Sequence, residues 1–305
     1  MKIGLRFAFL VSFVVGAAFN MMSCVSGDTD SREDKQQLTE EETRIIKEYE
    51  AELDLGRNMA GRLLQAYRAY DNKETLQYVN LVGQLVAKNS PFADRQFTFG
   101  VLDTDAINAF AAPGGYILIT RGALRKVANE AELAGILGHE IAHVGKKHIY
   151  DAIIKKSRAE KSDGKSKVPA TVSSRKRPEA ASSETADTLA KYIGGASGQF
   201  NVLSAIQGGI TVLLEEGIDP KLEHEADLEG VRYALAAGYE PRAMADYFAR
   251  ILKQKEKLDL QVLNKTHPSI DSRIKRIEEM LSRTLPQEYT GAIGQERFVN
   301  RTKGI

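Results

Sequence analysis

Gly138-His139-Glu140-Ile141-Ala142-His143-Val144 holds the residues best suited to chemistry in this 305-residue chain. His139 and His143 are four residues apart, so on a helix both imidazoles project from nearly the same face and can reach one cation. Glu140 lies roughly 100° further around such a helix, placed to act on a water without being a ligand itself. Two neutral nitrogen donors, an activated water and a carboxylate that takes its proton form the set a metal-dependent hydrolase needs. Leu133, Ile136, Leu137, Ile141 and Val144 flank the motif with helical spacing, so the helix is expected to be packed rather than solvated.

Zinc held by two histidines commonly takes a glutamate from a downstream helix as its third protein ligand. Asp219-Pro220 reads as a cap followed by proline at the first helical position, and the helix continues through Leu222-Glu223-His224-Glu225-Ala226-Asp227. Glu223 is the chosen third ligand, with Glu225 and His224 as rivals. Asp227, one turn later on the same face, could orient a metal-binding histidine. His148 follows His143 by five residues. On a continued helix it points elsewhere, which makes it a packing or supporting residue and not a ligand.

The elements that must position these residues can also be read. Asn129 caps the motif helix, with Glu130 and Glu132 in its first turn, and the helix is expected to run through His148 towards Ile154. Ahead of it, Phe97-Leu102 and Tyr116-Thr120 read as strands. Pro113-Gly114-Gly115 makes a tight turn, which predicts a small antiparallel sheet. Thr39 followed by Glu40, Glu41 and Glu42 starts a long helix with a possible break at Gly56, and Leu76 to Ala87 forms another. Helices are also expected after Pro241 and Pro268. The fold class is α+β and mainly helical.

The ends and one insertion differ in character. Residues 1–23 combine Lys2 and Arg6 with a short apolar run, as in a secretory signal. Cys24, the only cysteine, stands where that run ends, and this resembles a lipoprotein signal in which Cys24 is lipidated. Residues 24–37 read as a flexible tether. Residues 38–283 are expected to form the catalytic domain, interrupted by a charged insertion at 155–187, and 284–305 a weakly structured tail. Formal net charge is +1, so nothing points to nucleic acid.

The quoted motif with His148 beyond it, Asn108-Ala109-Phe110 and Pro113-Gly114-Gly115 before it, Glu223-x-Glu225-Ala226-Asp227-x-x-Gly230 after it, and Thr266-His267-Pro268 with Arg273 together resemble metallopeptidase family 48. That family holds the CAAX prenyl endopeptidases and the HtpX heat-shock proteases. The likeness spans roughly Leu76 to Leu281 and is nearest to the soluble periplasmic lipoprotein branch of YggG, YcaL and BepA. It implies a zincin-like (gluzincin) core and one Zn2+ per chain held by His139, His143 and Glu223. It also implies Glu140 as general base, Asp227 in support, and His267 near the metal. Asn108, Ala109, Phe110, Gly114 and Gly115 would flank the substrate groove. His267 and Arg273 are candidates to steady the oxyanion. The expected activity is endopeptidase cleavage of misfolded or membrane-associated proteins of a bacterial cell envelope, facing the periplasm and anchored by an N-terminal lipid. The alternative is a zinc-containing assembly or chaperone-like factor with latent or absent peptidase activity. Membrane helices like those of HtpX are not evident, so prenylated substrates are not expected.

Overall fold

One helix sits at the centre. In the computed structural model, which describes residues 38–162, 202–254, 258, 260–286 and 288–305, every residue of this helix from Glu130 to Val144 is buried. The sequence predicts its start correctly: the Asn129 side chain accepts from the Glu132 backbone N–H at 3.0 Å. The elements in chain order are α1 (Glu40–Tyr67), α2 (Lys73–Lys88), β1 (Thr98–Leu102), β2 (Ala109–Ala112), β3 (Tyr116–Thr120) and α3 (Arg121–Leu124). The central helix α4 (Glu130–Gly145) follows, then α5 (His148–Ser162), α6 (Val202–Thr211) with a π-turn over Val212–Glu216, and α7 (Pro220–Ala236). The last four are α8 (Ala243–Lys253), α9 (Gln261–Thr266), α10 (Ile270–Thr284) and α11 (Gln295–Arg301). Residues 1–37, with Cys24, lie outside the described residues, as does 163–187 of the charged insertion.

In residues 38–46 a reciprocal cap opens α1: Thr39 N–H donates to Glu42 at 2.9 Å, and Glu42 N–H donates to the Thr39 hydroxyl at 3.2 Å. From Lys47 onward the chain is one unit. Helix α1 does not break at Gly56, where the missing side chain instead admits the Pro113 carbonyl. A Cβ there would stand 1.6 Å from that oxygen.

The sheet has order β1-β3-β2 and is mixed rather than purely antiparallel. The Pro-Gly-Gly turn reverses β2, not β1, into β3, so β2 pairs with β3 antiparallel (Phe110 opposite Leu118). Strand β1 adds to the other side of β3 in parallel, with Phe99 opposite Ile117. Central β3 is buried on both faces through Ile117, Leu118 and Ile119, as its uninterrupted apolar run requires. Strand β2 is an edge and packs on α4.

Buried Glu52 of α1 holds the turn in place. Its carboxylate accepts from Arg95 at 2.9 and 3.1 Å and from the Gly114 backbone N–H at 3.1 Å, with Lys147 Nζ 3.2 Å away. Arg95 also donates to the Val144 carbonyl at the end of α4, at 3.2 Å. Burial alone would raise the Glu52 carboxyl, but Arg95, Lys147 and the Gly114 N–H more than offset this and leave it below the ordinary glutamate value.

Helix α4 ends at Gly145 instead of running on to Ile154. Lys147 has φ 59°, a left-handed conformation that redirects the chain into α5. The segment after 284 also departs from expectation. Helix α11 docks on the start of α4, where buried Glu130 binds Arg297 and accepts from the Tyr78 and Tyr239 hydroxyls at 2.5 and 2.8 Å. A carboxylate at a helix N-terminus also complements the helix dipole.

Helices α4 and α7 touch backbone to backbone. A Cβ on Gly138 would lie 2.6 Å from the Gly230 carbonyl oxygen, and one on Gly230 would lie 2.5 Å from His139 N. Only glycine at both positions permits this crossing. Gly230→Ala is therefore expected to cost about 1–3 kcal/mol in a denaturant melt and to weaken metal binding measured on the refolded protein. The depressed Glu52 carboxyl also sets a sign for pH. Its contribution is complete above the unfolded value of about 4.3 and is lost as pH falls through the lower folded value. Unfolding free energy of the wild type should drop through that acid window, and Glu52→Gln should be less stable at neutral pH with a shallower acid limb.

Candidate active site

The Gly138–Gly230 crossing sets what faces what. Gly138 directly precedes His139, and Gly230 follows Asp227 by three residues and Glu223 by seven, so all three side chains emerge at the seam. The Asp219 side chain caps α7 by accepting from Lys221 N–H at 2.8 Å, with Pro220 at the first helical position.

His139 Nε2 and His143 Nε2 are 3.0 Å apart. Glu223 Oε2 is 3.6 Å from the first and Oε1 is 3.4 Å from the second. Two donors bound at about 2.1 Å to one tetrahedral ion stand about 3.4 Å from each other, so these spacings bracket what one cation needs. All three side chains are buried, and among the described residues Glu223 Oε2 has no hydrogen-bond partner. His139 Nδ1 lies 2.9 Å from Asp227 Oδ1. A neutral His139 ring that donates there turns an Nε2 lone pair towards the His143 nitrogen. Facing lone pairs and an unpartnered carboxylate oxygen, all buried, are stabilised by a cation between them. The residues therefore fit a divalent metal ion.

Glu140 is 4% exposed and lines the cleft on both sides of the donors. Burial pushes its carboxyl up to about 8, partly opposed by the charge of Arg273. A cation among the donors would favour its ionised form. Asp227 is fully buried and bound by Arg273, with Nε 2.9 Å from Oδ2 and Nη2 2.5 Å from Oδ1. Burial alone would raise the Asp227 carboxyl, but Arg273 and His139 outweigh it and hold it well below the aspartate range. Arg273, sequence-predicted for a substrate oxygen, is thus committed to Asp227 and stacks over Phe248 at 4.2 Å from the ring centroid, although it also borders the cleft.

His267 is brought to the donors: its Nε2 is 3.4 Å from Glu223 Oε2, and its Nδ1 is 2.8 Å from the Thr266 hydroxyl. Asn108, Ala109 and Phe110 line the cleft beside Glu140. Both side-chain amide atoms of Asn108 are buried without a hydrogen-bond partner among the described residues. Gly114 and Gly115 are placed elsewhere, at the turn, against Leu53 and Gln96, with φ 74° and 100°. They shape β2 rather than line the cleft. The rival ligands separate as well: Glu225 binds Lys146 at 2.8 Å, and His224 is not grouped with the donors. Sequence reasoning left Gly138 and Gly230 without a role, although each sits beside a donor motif and that adjacency was the available signal.

Residues 73–281 match the model of peptidase family M48. The beta-barrel assembly-enhancing protease of Yersinia pestis is 28% identical over 199 residues, covering 65% of this chain and 37% of that protein. Its counterpart in Escherichia coli strain K12 is 26% identical over 178 residues, 58% of this chain and 33% of that protein. The mitochondrial metalloendopeptidase OMA1 of Schizosaccharomyces pombe is 25% identical over 221 residues, 72% of this chain and 56% of that protein. The chain thus spans about a third of the length of the beta-barrel assembly-enhancing proteases it matches. Because the family match takes in both helices that meet at the donor triad, the chain belongs to peptidase family M48.

Proposed function

We propose that the protein is a zinc-dependent endopeptidase of the bacterial cell envelope that cleaves unfolded or membrane-associated proteins. The observation that carries this reading is the convergence of His139, His143 and Glu223 beside a buried Glu140. Zinc bound by those three would supply Lewis acidity towards the scissile carbonyl and acidify water in the cleft. Glu140 takes a proton from the attacking water on its carboxylate and delivers it to the leaving amine nitrogen. Asp227, held by Arg273, fixes the His139 ring through Nδ1. A Thr266 hydroxyl that donates to His267 Nδ1 leaves the ring proton on Nε2, where it can meet developing negative charge on substrate oxygen. The edge of β2 that faces away from β3 supplies backbone hydrogen bonds for an extended peptide, and the side-chain amide of Asn108 supplies a further donor and acceptor.

The envelope setting draws on the name of the bacterial relatives, beta-barrel assembly-enhancing protease, and on the signal-like start with Cys24. Among the described residues no helix is long and apolar enough to cross a membrane. An assembly factor with latent peptidase activity is the second reading, favoured by the approach of His267 Nε2 to within 3.4 Å of Glu223 Oε2.

Glu140→Gln is expected to retain one zinc per chain by metal analysis yet lose chelator-sensitive cleavage of casein by at least about 100-fold. Glu223→Ala should lose the zinc itself. Wild-type cleavage by Glu140→Gln would overturn the assignment, and zinc-loaded wild type that cleaves nothing would favour the latent reading. Cys24→Ser is expected to move the protein from the membrane pellet to the soluble envelope fraction. A variant that still sediments with membranes would refute lipid anchoring.

A further inference from the structure

His139 and His143 are supported in different ways. His139 Nδ1 meets a carboxylate, whereas His143 Nδ1 stands 3.1 Å from Nδ1 of His148. His148 is the first residue of α5 and is 5% exposed. The left-handed Lys147 turns the chain so that this ring reaches back to His143, which a continued helix would prevent. The two rings meet edge to face, centroids 5.2 Å apart and planes at 77°.

Two imidazole nitrogens at that separation share one proton, with one ring donating and the other accepting. A His143 that offers Nε2 to a cation carries its proton on Nδ1. His148 must then accept through Nδ1 and keep its own proton on Nε2. Glu225 fits that arrangement, with Oε2 3.6 Å from His148 Nε2, and Lys146 Nζ anchors the same carboxylate at 2.8 Å. The charged groups on this side, Lys146, Glu225 and Glu229, sit outside the buried pair of rings.

We infer that His148 is a positioning residue that selects the Nδ1–H tautomer of His143 by accepting its hydrogen bond, so that Nε2 is presented to the metal. The inference rests on the metallopeptidase reading. It assigns the neutral ring of His148 the role for His143 that the Asp227 carboxylate has for His139.

Three proteins test it: wild type, His148→Leu and His148→Asn, the last placing a carboxamide oxygen near the site of the lost Nδ1. Zinc affinity is measured by competition with a chromophoric chelator, and ring protons are observed by NMR on zinc-loaded, 15N-histidine-labelled full chain. His148→Leu is expected to bind zinc about 10–100-fold more weakly and to lose the protected His143 Nδ1 proton, and His148→Asn to recover most of both. Melting temperatures of the zinc-free proteins should agree. Leucine and asparagine variants weakened alike, with equal losses of zinc-free melting temperature, would make His148 a packing residue. A leucine variant that binds zinc as wild type does would also overturn the inference. Wild type that holds no stoichiometric zinc would sink the metallopeptidase reading, and the inference with it, by a separate observation.

Discussion

Two helices distant in the chain can share a metal only if their axes come close, and here they come as close as bare backbones allow. Gly138 and Gly230 meet without any side chain between them. Every donor distance in the cleft follows from that contact. His139 follows its glycine directly, while Glu223 and Asp227 precede theirs by two turns and just under one, so neither helix can slide without parting the triad. A methyl group at the seam would act on the whole constellation at once.

The second constraint is charge. Burying Glu140, Glu223 and Asp227 within one small region is costly unless opposite charge is near. Arg273 meets part of this need by binding Asp227 and lying against Phe248. A divalent cation would meet the rest. The fold thus separates the two tasks. A fixed guanidinium stabilises the supporting carboxylate, and a metal ion would be left to Glu223 and the two imidazoles.

What was legible in the chain was local. The histidine pair, Asn129 and Asp219 as caps, and Pro113-Gly114-Gly115 as a turn all act through neighbours within a few residues, and sequence displays such relations directly. Glu223 was reachable because metal chemistry demands a third donor. The parallel pairing of β1 was hidden because an apolar strand carries no mark of its partner's direction. The halt of α4 was hidden because a lysine with positive φ has no sequence signature; tertiary contacts such as that with Glu52 hold it there. Arg273 looked like a substrate contact since its partner Asp227 lies 46 positions upstream. The segment after 284 looked idle because its anchor, Glu130, lies 167 positions upstream of Arg297.

Edge strands with one neighbour usually fray first, and among the described residues β2 has only β3 beside it. Yet the turn that launches β3 hangs on Glu52, and the same carboxylate grips the loop at Arg95 and, through it, the Val144 carbonyl near the end of α4. Opening the strand therefore means releasing a helix and a helix terminus together. Amide exchange along Ala109–Ala112 should consequently report the breathing of that entire corner, and a peptide bound along the strand would slow exchange at sites it never touches.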